Sequence, residues 1–353
     1  MDDLDKKLLT KIQFDFPLDL RPYLRLAEQL KTTEEEIIAR LAQLRKENVI
    51  RQISAIFDTR NLGYTSSLVA MRIPSEKLSA GARMINAFPG VSHNYKRENH
   101  FNLWFTVAVP PGRDLNETVR IMACEAEAET TLILPTLKLF KIGVRLDVTG
   151  KSDGLEQEGR QEFKRVRRTL STEEREIVKA LQQDLQLISH PFEPAARQIG
   201  ISEGEVFELM KRMTDEGIMR RFAGVLHHRK AGFAFNGMGV WKVPAEKIEE
   251  LGWKMGSYRG VSHCYQRPTY PEWDYSLYTM VHGMKQEDCE RIIQEISEAS
   301  GIKEYLILYS TVEYKKDRID YFCEAFDEWY AEHSLPPSAH PVLRTVASYA
   351  EIY

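Results

Sequence analysis

Two octapeptides carry the side chains best suited to acid–base chemistry. One is Gly90-Val91-Ser92-His93-Asn94-Tyr95-Lys96-Arg97, and the other is Gly260-Val261-Ser262-His263-Cys264-Tyr265-Gln266-Arg267. Both read as strands, where side chains alternate between two faces. His263, Tyr265 and Arg267 therefore share one face, as do His93, Tyr95 and Arg97. An imidazole gives or takes a proton near neutral pH without tuning. A neighbouring phenol can orient it or relay the proton. A guanidinium grips a carboxylate through two parallel N–H donors. Arg rarely buries without a partner, so this face reads as the wall of a polar pocket or of an interface. The plain alternative is a half-buried histidine among ordinary strand residues, and the repetition of the whole pattern counts against it.

The segments around the octapeptides repeat as well. Glu47-Asn48-Val49-Ile50-Arg51 parallels Glu216-Gly217-Ile218-Met219-Arg220, and Arg60-Asn61-Leu62-Gly63-Tyr64 parallels Arg229-Lys230-Ala231-Gly232-Phe233. Two long copies point to a fused pseudo-dimer rather than to a solenoid, whose period is roughly 20–50 residues. Each copy opens with helices. Leu8, Leu9 and Ile12 form one apolar stripe, and Ile37, Leu41 and Leu44 form another. Thr33 with Glu36, Ser171 with Glu174 and Ser202 with Glu205 have capping-box spacing. Helices over 24–30 and 33–47, repeated at 193–198 and 203–216 after a helix at 173–185, predict two helix-turn-helix units.

Strand and helix patterns then alternate. Copy one predicts strands at 49–58 and 66–73, a helix at 75–87, strands at 91–97 and 101–109, a helix at 115–128 and a strand at 132–144. Copy two repeats the order at 218–228, 235–243, 245–257, 261–267, 274–282, 286–300 and 304–313. The fold class is therefore α+β, a tandem repeat of a winged or plain helix-turn-helix followed by a ferredoxin-like βαββαβ unit. The expected divisions are 1–48 and 170–217 for the helix-turn-helix units, and 49–148 and 218–316 for the ferredoxin-like domains. Residues 149–169 read as a charged linker, and 317–353 as an extension with a short aromatic helix at 320–332.

Further candidates flank the octapeptides. The stretch from Pro268 to Asp274 makes the second copy's loop longer than the first's and adds Tyr270 and Trp273. His282 aligns with Ala108 and is special to copy two, whereas His100 is the extra imidazole of copy one. Basic residues gather at the end of each first strand. These are Arg51 and Arg60 in copy one, and Arg220, Arg221, His227, His228, Arg229 and Lys230 in copy two. Adjacent residues on a strand face opposite ways, so His227 and His228 cannot both hold one ion. No protein-bound metal is expected.

With 353 residues the chain has room for more than one domain, and 43% hydrophobic with 28% charged residues is ordinary globular composition. Its start lacks the basic and apolar regions of a signal peptide, and no apolar run approaches the roughly 18 residues of a membrane helix. The four cysteines show no CxxC spacing. A cytoplasmic location is the expectation. The net charge of −4 argues against a nucleic-acid binder. So do Glu34, Glu35 and Glu36, and Glu203, Glu205 and Glu208, at and along the third helices.

A helix-turn-helix followed by a ferredoxin-like domain resembles the Lrp/AsnC family, whose ligand domains bind small effectors at a dimer interface. The run from His263 to Trp273, His-Cys-Tyr-Gln-Arg-Pro-Thr-Tyr-Pro-Glu-Trp, resembles the signature of the siroheme decarboxylases, which descend from that family and work as paired or fused subunits. The resemblance implies removal of CO2 from the acetate side chains at ring positions 12 and 18 of siroheme, yielding didecarboxysiroheme for haem d1 or haem synthesis. For that chemistry the residues themselves suggest His263 as general acid with Tyr265 beside it, and His93 with Tyr95 as the counterpart. Arg267, Arg97, Arg221, Arg229, Arg51 and Arg60 would hold the substrate's carboxylates. Tyr270 and Trp273 would offer ring faces to a flat macrocycle, with His100, His227 and His282 nearby. No cofactor is required, since the iron belongs to the substrate; haem binding through an axial His is the one addition left open. Partners expected are siroheme, a second copy of the chain and the neighbouring pathway enzymes, with no membrane. An Lrp/AsnC-type transcriptional regulator, or a tetrapyrrole sensor that binds without reacting, is the alternative.

Overall fold

The computed structural model describes residues 1–142, 168–226, 235–258, 260–334 and 341–346. The chain divides into two compact units. One comprises Met1–Tyr64, Phe163–Ala231 and Asp320–Cys323, and the other Thr65–Glu162, Gly232–Ile319 and Glu324–Tyr353.

The first unit holds α1 (Asp3–Phe14), α2 (Pro22–Leu30), α3 (Glu34–Lys46) and β1 (Ile50–Phe57), with their counterparts α6 (Thr172–Leu181), α7 (Glu193–Ile199), α8 (Glu203–Glu216) and β7 (Met219–Leu226). The caps read from sequence are chemically real. Ser171 with Glu174 and Ser202 with Glu205 close reciprocal boxes at the starts of α6 and α8. Thr33 accepts from the Glu36 N–H at 3.3 Å, but the Glu36 carboxylate turns to Arg40 Nε at 2.5 Å, so the cap of α3 is one-sided. β1 and β7, expected to open the two ferredoxin-like domains, instead pair with each other as an antiparallel ribbon, Ile53 opposite Gly224. Helix α1 lies directly on β7. A Cβ at Gly224 would sit 2.7 Å from Ile12 Cδ1, so only glycine permits that approach. Phe222 is clasped between Phe16 and Phe192, with centroids 5.3 and 5.7 Å away.

The second unit contains the two βαββαβ repeats. Copy one runs β2 (Thr65–Arg72), α4 (Leu78–Ala87), β3 (Val91–Arg97), β4 (Leu103–Val109), α5 (Leu115–Glu125), β5 (Thr130–Leu134) and β6 (Lys138–Ile142). Copy two runs β8 (Phe235–Trp241), α9 (Ile248–Gly256), β9 (Val261–Gln266), β10 (Leu277–Gly283), α10 (Gln286–Ser300) and β11 (Tyr305–Lys316). Beyond them lie α11 (Ala325–Glu332) and β12 (Leu343–Arg344).

These strands form one ten-stranded sheet in the order β12-β5-β2-β4-β3-β11-β8-β10-β9-β6. The copies are joined by exchange. β11 pairs with β8 up to Tyr309, then from Ser310 onward pairs with β3 of the other copy. Copy one does the same in two pieces, β5 on β2 and β6 on β9. The single strand expected over 132–144 is broken near Pro135, which has no N–H for a ladder; the break lies where the chain changes partners.

Each face of the sheet has its own core. Trp241, Leu251, Met255, Val261, Cys264 and Ile293 cluster with one another in copy two, and three of these lie on β8 or β9 while the rest come from α9 and α10. A second cluster joins Ala70, Phe101, Trp104, Leu132 and Leu134 of copy one to Met238, Val240, Trp273, Tyr278 and Leu308 of copy two. Burying a large apolar side chain contributes about 1.5–3 kcal/mol. Because each copy supplies half of this second cluster, neither completes it alone. In the extension, Phe326 and Trp329 of α11 pack on Phe88 at 5.6 and 4.7 Å. The helix starts later than expected, because Tyr321 and Phe322 pack on Tyr64 in the first unit. Among the described residues, no helix is long and apolar enough to cross a membrane.

Candidate active site

The two octapeptides form β3 and β9, and each contains the same irregularity. On β9, Met280 and Val281 of β10 pair with His263 and Val261, leaving Ser262 as an extra residue. On β3, Thr106 and Val107 of β4 pair with His93 and Val91, leaving Ser92 as the extra residue. A bulge opposes two residues to one on the partner strand. Its effect here is on side-chain direction. Val261 and Cys264 both belong to the core with α9 and α10, so Ser262 and His263 together face the other way. In copy one Asn94 reaches Ala82 and Asn86 on α4, so it too faces the helices, while Tyr95 faces away.

Placing serine and histidine side by side lets them bond. Ser262 Oγ lies 2.8 Å from His263 Nδ1, and Ser92 Oγ lies 3.0 Å from His93 Nδ1. The second contact of each hydroxyl differs. Ser262 Oγ is 2.7 Å from His282 Nε2, whereas Ser92 Oγ is 2.7 Å from Thr106 Oγ1. The phenols follow in line. Tyr265 stacks on His263 at 5.9 Å and 25°, and Tyr95 tilts against His93 at 6.2 Å and 39°. Tyr95 is 8% exposed, but Tyr265 is only half-buried, so copy two is the more open. The cross-strand neighbour also differs: Glu313 opposes Tyr95, and Leu139 opposes Tyr265.

Arg97 and Arg267 do not behave as exposed anchors. They are 3% and 8% exposed. Arg97 Nη1 donates to the carbonyl of Leu308, and Arg267 Nη1 donates to that of Leu134. Each guanidinium also lies over its own tyrosine, Arg97 5.8 Å from the Tyr95 centroid and Arg267 4.9 Å from that of Tyr265. Burial pulls the Arg97 guanidinium down to about 10. Little guanidinium surface is therefore open at either residue.

The family profile for an AsnC-like ligand binding domain matches residues 61–141 and 230–315, and that for a siroheme decarboxylase NirDL-like HTH domain matches 5–51 and 174–220. A siroheme decarboxylase of Hydrogenobacter thermophilus is 39% identical over 327 residues, covering 92% of this chain and 97% of that one. The chain belongs to the siroheme decarboxylase family. The siroheme decarboxylase NirDL subunit of Paracoccus pantotrophus is 32% identical, covering 88% of this chain and 95% of that one. A crystal structure of the siroheme decarboxylase NirDL in co-complex with an iron-uroporphyrin III analogue superposes with a TM-score of 0.75 at 34% identity, covering 94% of this chain and 98% of that one.

Within this siroheme decarboxylase fold the remaining candidates separate. Trp273 is 4% exposed, its ring against Phe101 at 5.7 Å, Trp104 at 5.3 Å and Tyr275 at 4.8 Å. Its indole N–H donates to Tyr278 Oη at 2.7 Å. Its ring is thus enclosed by protein on several sides. Tyr270 bridges back to Trp273 and donates its hydroxyl to the Ile133 carbonyl at 2.6 Å, pinning the loop to β5. His100 is exposed on the loop after β3, 3.4 Å from Arg72 Nη1.

Arg51, Arg60 and Arg221 belong to the helical unit, on β1, the loop after it and β7. There Asp58 accepts from Arg220 Nε at 3.1 Å and Nη2 at 2.6 Å, and lies 4.0 Å from Arg60. That cluster is therefore partly neutralised by the protein's own carboxylate, which the guanidinium of Arg220 and the Asn61 N–H hold below the usual range against the upward pull of burial. His227 and Arg229 lie outside the described residues. Among the described residues, no group of three His, Cys, Asp or Glu side chains is placed to hold a metal ion, and none of the four cysteines is in a disulfide. Sequence reasoning missed Ser92, Ser262 and Thr106. The signal was present in the Val-Ser-His triplet shared by both copies.

Proposed function

We propose that the chain decarboxylates siroheme at the acetates of ring positions 12 and 18, with His263 as proton donor in the principal pocket. The observation that carries this reading is the bulged strand that turns His263 and Tyr265 together to the face away from the helices, in a member of the siroheme decarboxylase family. An acetate on a pyrrole loses CO2 once the neighbouring ring carbon is protonated and the ring can take the electron pair of the breaking bond. An exocyclic methylene results. A proton added there, with loss of the ring proton, gives the methyl group, so each CO2 released consumes one proton. His263 is suited to supply it at neutral pH. With Nδ1 turned to Ser262, we assign Nε2 to the substrate, and Tyr265 holds the imidazole plane by stacking.

Three differences favour copy two as the principal pocket. Tyr265 is more open than Tyr95, Leu139 replaces the acidic Glu313 beside the phenol, and His282 stands beside Ser262. A carboxylate-rich substrate is repelled by Glu313 and not by Leu139. His93 and Tyr95 then form a secondary pocket, and His100, on the loop after β3, stays a separate candidate for substrate contact. His93 or His263 could equally serve as axial ligand to the substrate iron or to haem. Arg51, Arg60, Arg221 and Arg229 remain our candidates for contacts with the acid groups around the ring. A homodimer of the chain, a cytoplasmic location and delivery of the product to haem d1 or haem synthesis complete the proposal.

The test is anaerobic incubation of the full chain with siroheme, followed by mass spectrometry. Stepwise loss of one and then two CO2 is expected. Unchanged siroheme that nevertheless binds the protein would make it a sensor.

A further inference from the structure

The geometry points to Ser262 as a positioning residue that couples His282 to His263, so that copy two carries a two-imidazole proton store and copy one does not. This rests on the reading of the chain as a siroheme decarboxylase. Ser262 is 7% exposed, and its Oγ has three neighbours: His282 Nε2 at 2.7 Å, His263 Nδ1 at 2.8 Å and the Met280 carbonyl at 3.3 Å. A hydroxyl has one proton to donate and two lone pairs with which to accept. The two short contacts go to imidazole nitrogens, so the proton on one ring decides which nitrogen of the other carries a proton. When His282 is protonated at Nε2, it donates to Ser262 Oγ, and Ser262 donates to His263 Nδ1. His263 then carries its own proton on Nε2, the nitrogen assigned to substrate.

Transfer along this chain balances without any other reagent. With His282 protonated at both ring nitrogens, one proton leaves its Nε2 for Ser262 Oγ as the hydroxyl proton passes to His263 Nδ1. The positive charge moves from His282 to His263, and the serine ends as it began. The imidazolium of His263 is the stronger acid needed to protonate a ring carbon. The cross-strand partners of His282 and His263, Asn236 on β8, Met280 on β10 and Ile142 on β6, do not titrate. In copy one the corresponding contact of Ser92 is the hydroxyl of Thr106, which can pass a proton on but does not store an extra one at neutral pH. The bulge is what makes the coupling geometrically available, because without the extra residue Ser262 would point into the core with α9 and α10.

The experiment uses the full chain carrying Ser262→Ala, His282→Ala, the double variant and Ser262→Thr, with steady-state CO2 release from siroheme and 15N spectra of labelled histidines. Each single alanine variant is expected to lower kcat roughly tenfold or more while KM stays within about twofold. The double variant should be no slower than the slower single one, because both remove the same link. Ser262→Thr keeps the hydroxyl and should recover most of the rate. Losses that multiply in the double variant, or a Ser262→Ala enzyme with the original kcat, would overturn the coupling. If the unaltered chain releases no CO2, the decarboxylase reading fails and the spectra decide the coupling alone. Ser262→Ala should change the Nδ1 and Nε2 signals of both His263 and His282 and leave those of His93 in place. Unchanged signals at His263 and His282 would overturn it.

Discussion

Arg267 donates Nη1–H to the backbone carbonyl of Leu134, the last residue of β5, where the chain leaves its own copy to pair with the other. Arg97 makes the twin contact to Leu308, just before β11 makes the same change of partner. Both arginines therefore pin the crossings that hold the two copies in one sheet. Arg267→Met, which keeps the stem volume, should lower stability by about 2–4 kcal/mol, as expected when a buried carbonyl loses its donor and packing is disturbed. Urea unfolding measures this. Unchanged stability together with a large rise in KM would return Arg267 to the substrate's carboxylates.

The imidazoles should fail unequally. His263→Ala is expected to slow CO2 release by roughly 10²–10⁴-fold, the range for loss of a general acid, while siroheme still binds. His93→Ala should slow it less. Full activity of His263→Ala beside an inactive His93→Ala would place the principal pocket in copy one.

Trp273 should act on folding before it acts on substrate. Its ring fills the core shared by both copies, so Trp273→Ala should destabilise the sheet unit by about 3–5 kcal/mol. Siroheme titration at a temperature where the variant is still folded should give nearly the original affinity. A variant of unaltered stability that binds siroheme weakly would restore the stacking role.

Acid should loosen the second helix-turn-helix through Glu174. Its side chain is 3% exposed, and it accepts from Arg168 Nη1 and Nη2 at 2.7 and 2.8 Å and from Arg212 at 3.2 Å. Hydrogen bonds from Arg168 first, with the Ser171 N–H and the charges of both arginines, hold the carboxyl down to about 2 against desolvation. A depressed carboxyl contributes stability that is present above its unfolded value of 4.5 and is lost as pH falls toward about 2. The contribution at neutral pH is on the order of 3 kcal/mol. Glu174→Gln should therefore be less stable than the original chain at pH 7 and nearly equal to it at pH 2, as read by urea unfolding at each pH. Equal stability at both would show that the arginines gain nothing from the charge.

The helix-turn-helix units should not read DNA. The first turn of α3 is Glu34, Glu35 and Glu36, and Glu34 is 5% exposed and paired with Arg21 at 2.5 Å. The first turn of α8 carries Glu203 and Glu205. Acidic groups there meet phosphates and base edges with the wrong charge. Gel-shift assays with the chain's own upstream region should show no specific complex at nanomolar protein and physiological salt. A specific complex would restore the regulator reading.

What the sequence determined by itself is local chemistry. Capping boxes at Ser171 and Ser202, the apolar stripe of Leu8, Leu9 and Ile12, and the shared face of His263 and Tyr265 each depend on residues within a turn or a strand of one another. So does the doubling of the chain, since a repeat is visible without knowing what it pairs with. The tertiary structure decided everything set by a distant partner. Whether Ser262 is an extra residue depends on the register of β10, and only that register brings Ser262, His263 and His282 together. That Trp273 packs on Phe101 and Trp104 of the other copy is set by the same long-range pairing. β1 carried the pattern of a sheet strand, but its partner proved to be β7. The physical reason is the same in each case. Side-chain direction follows from two or three neighbours along the chain, whereas strand partners and burial follow from contacts between residues far apart in sequence, and these are settled only when both surfaces leave water together.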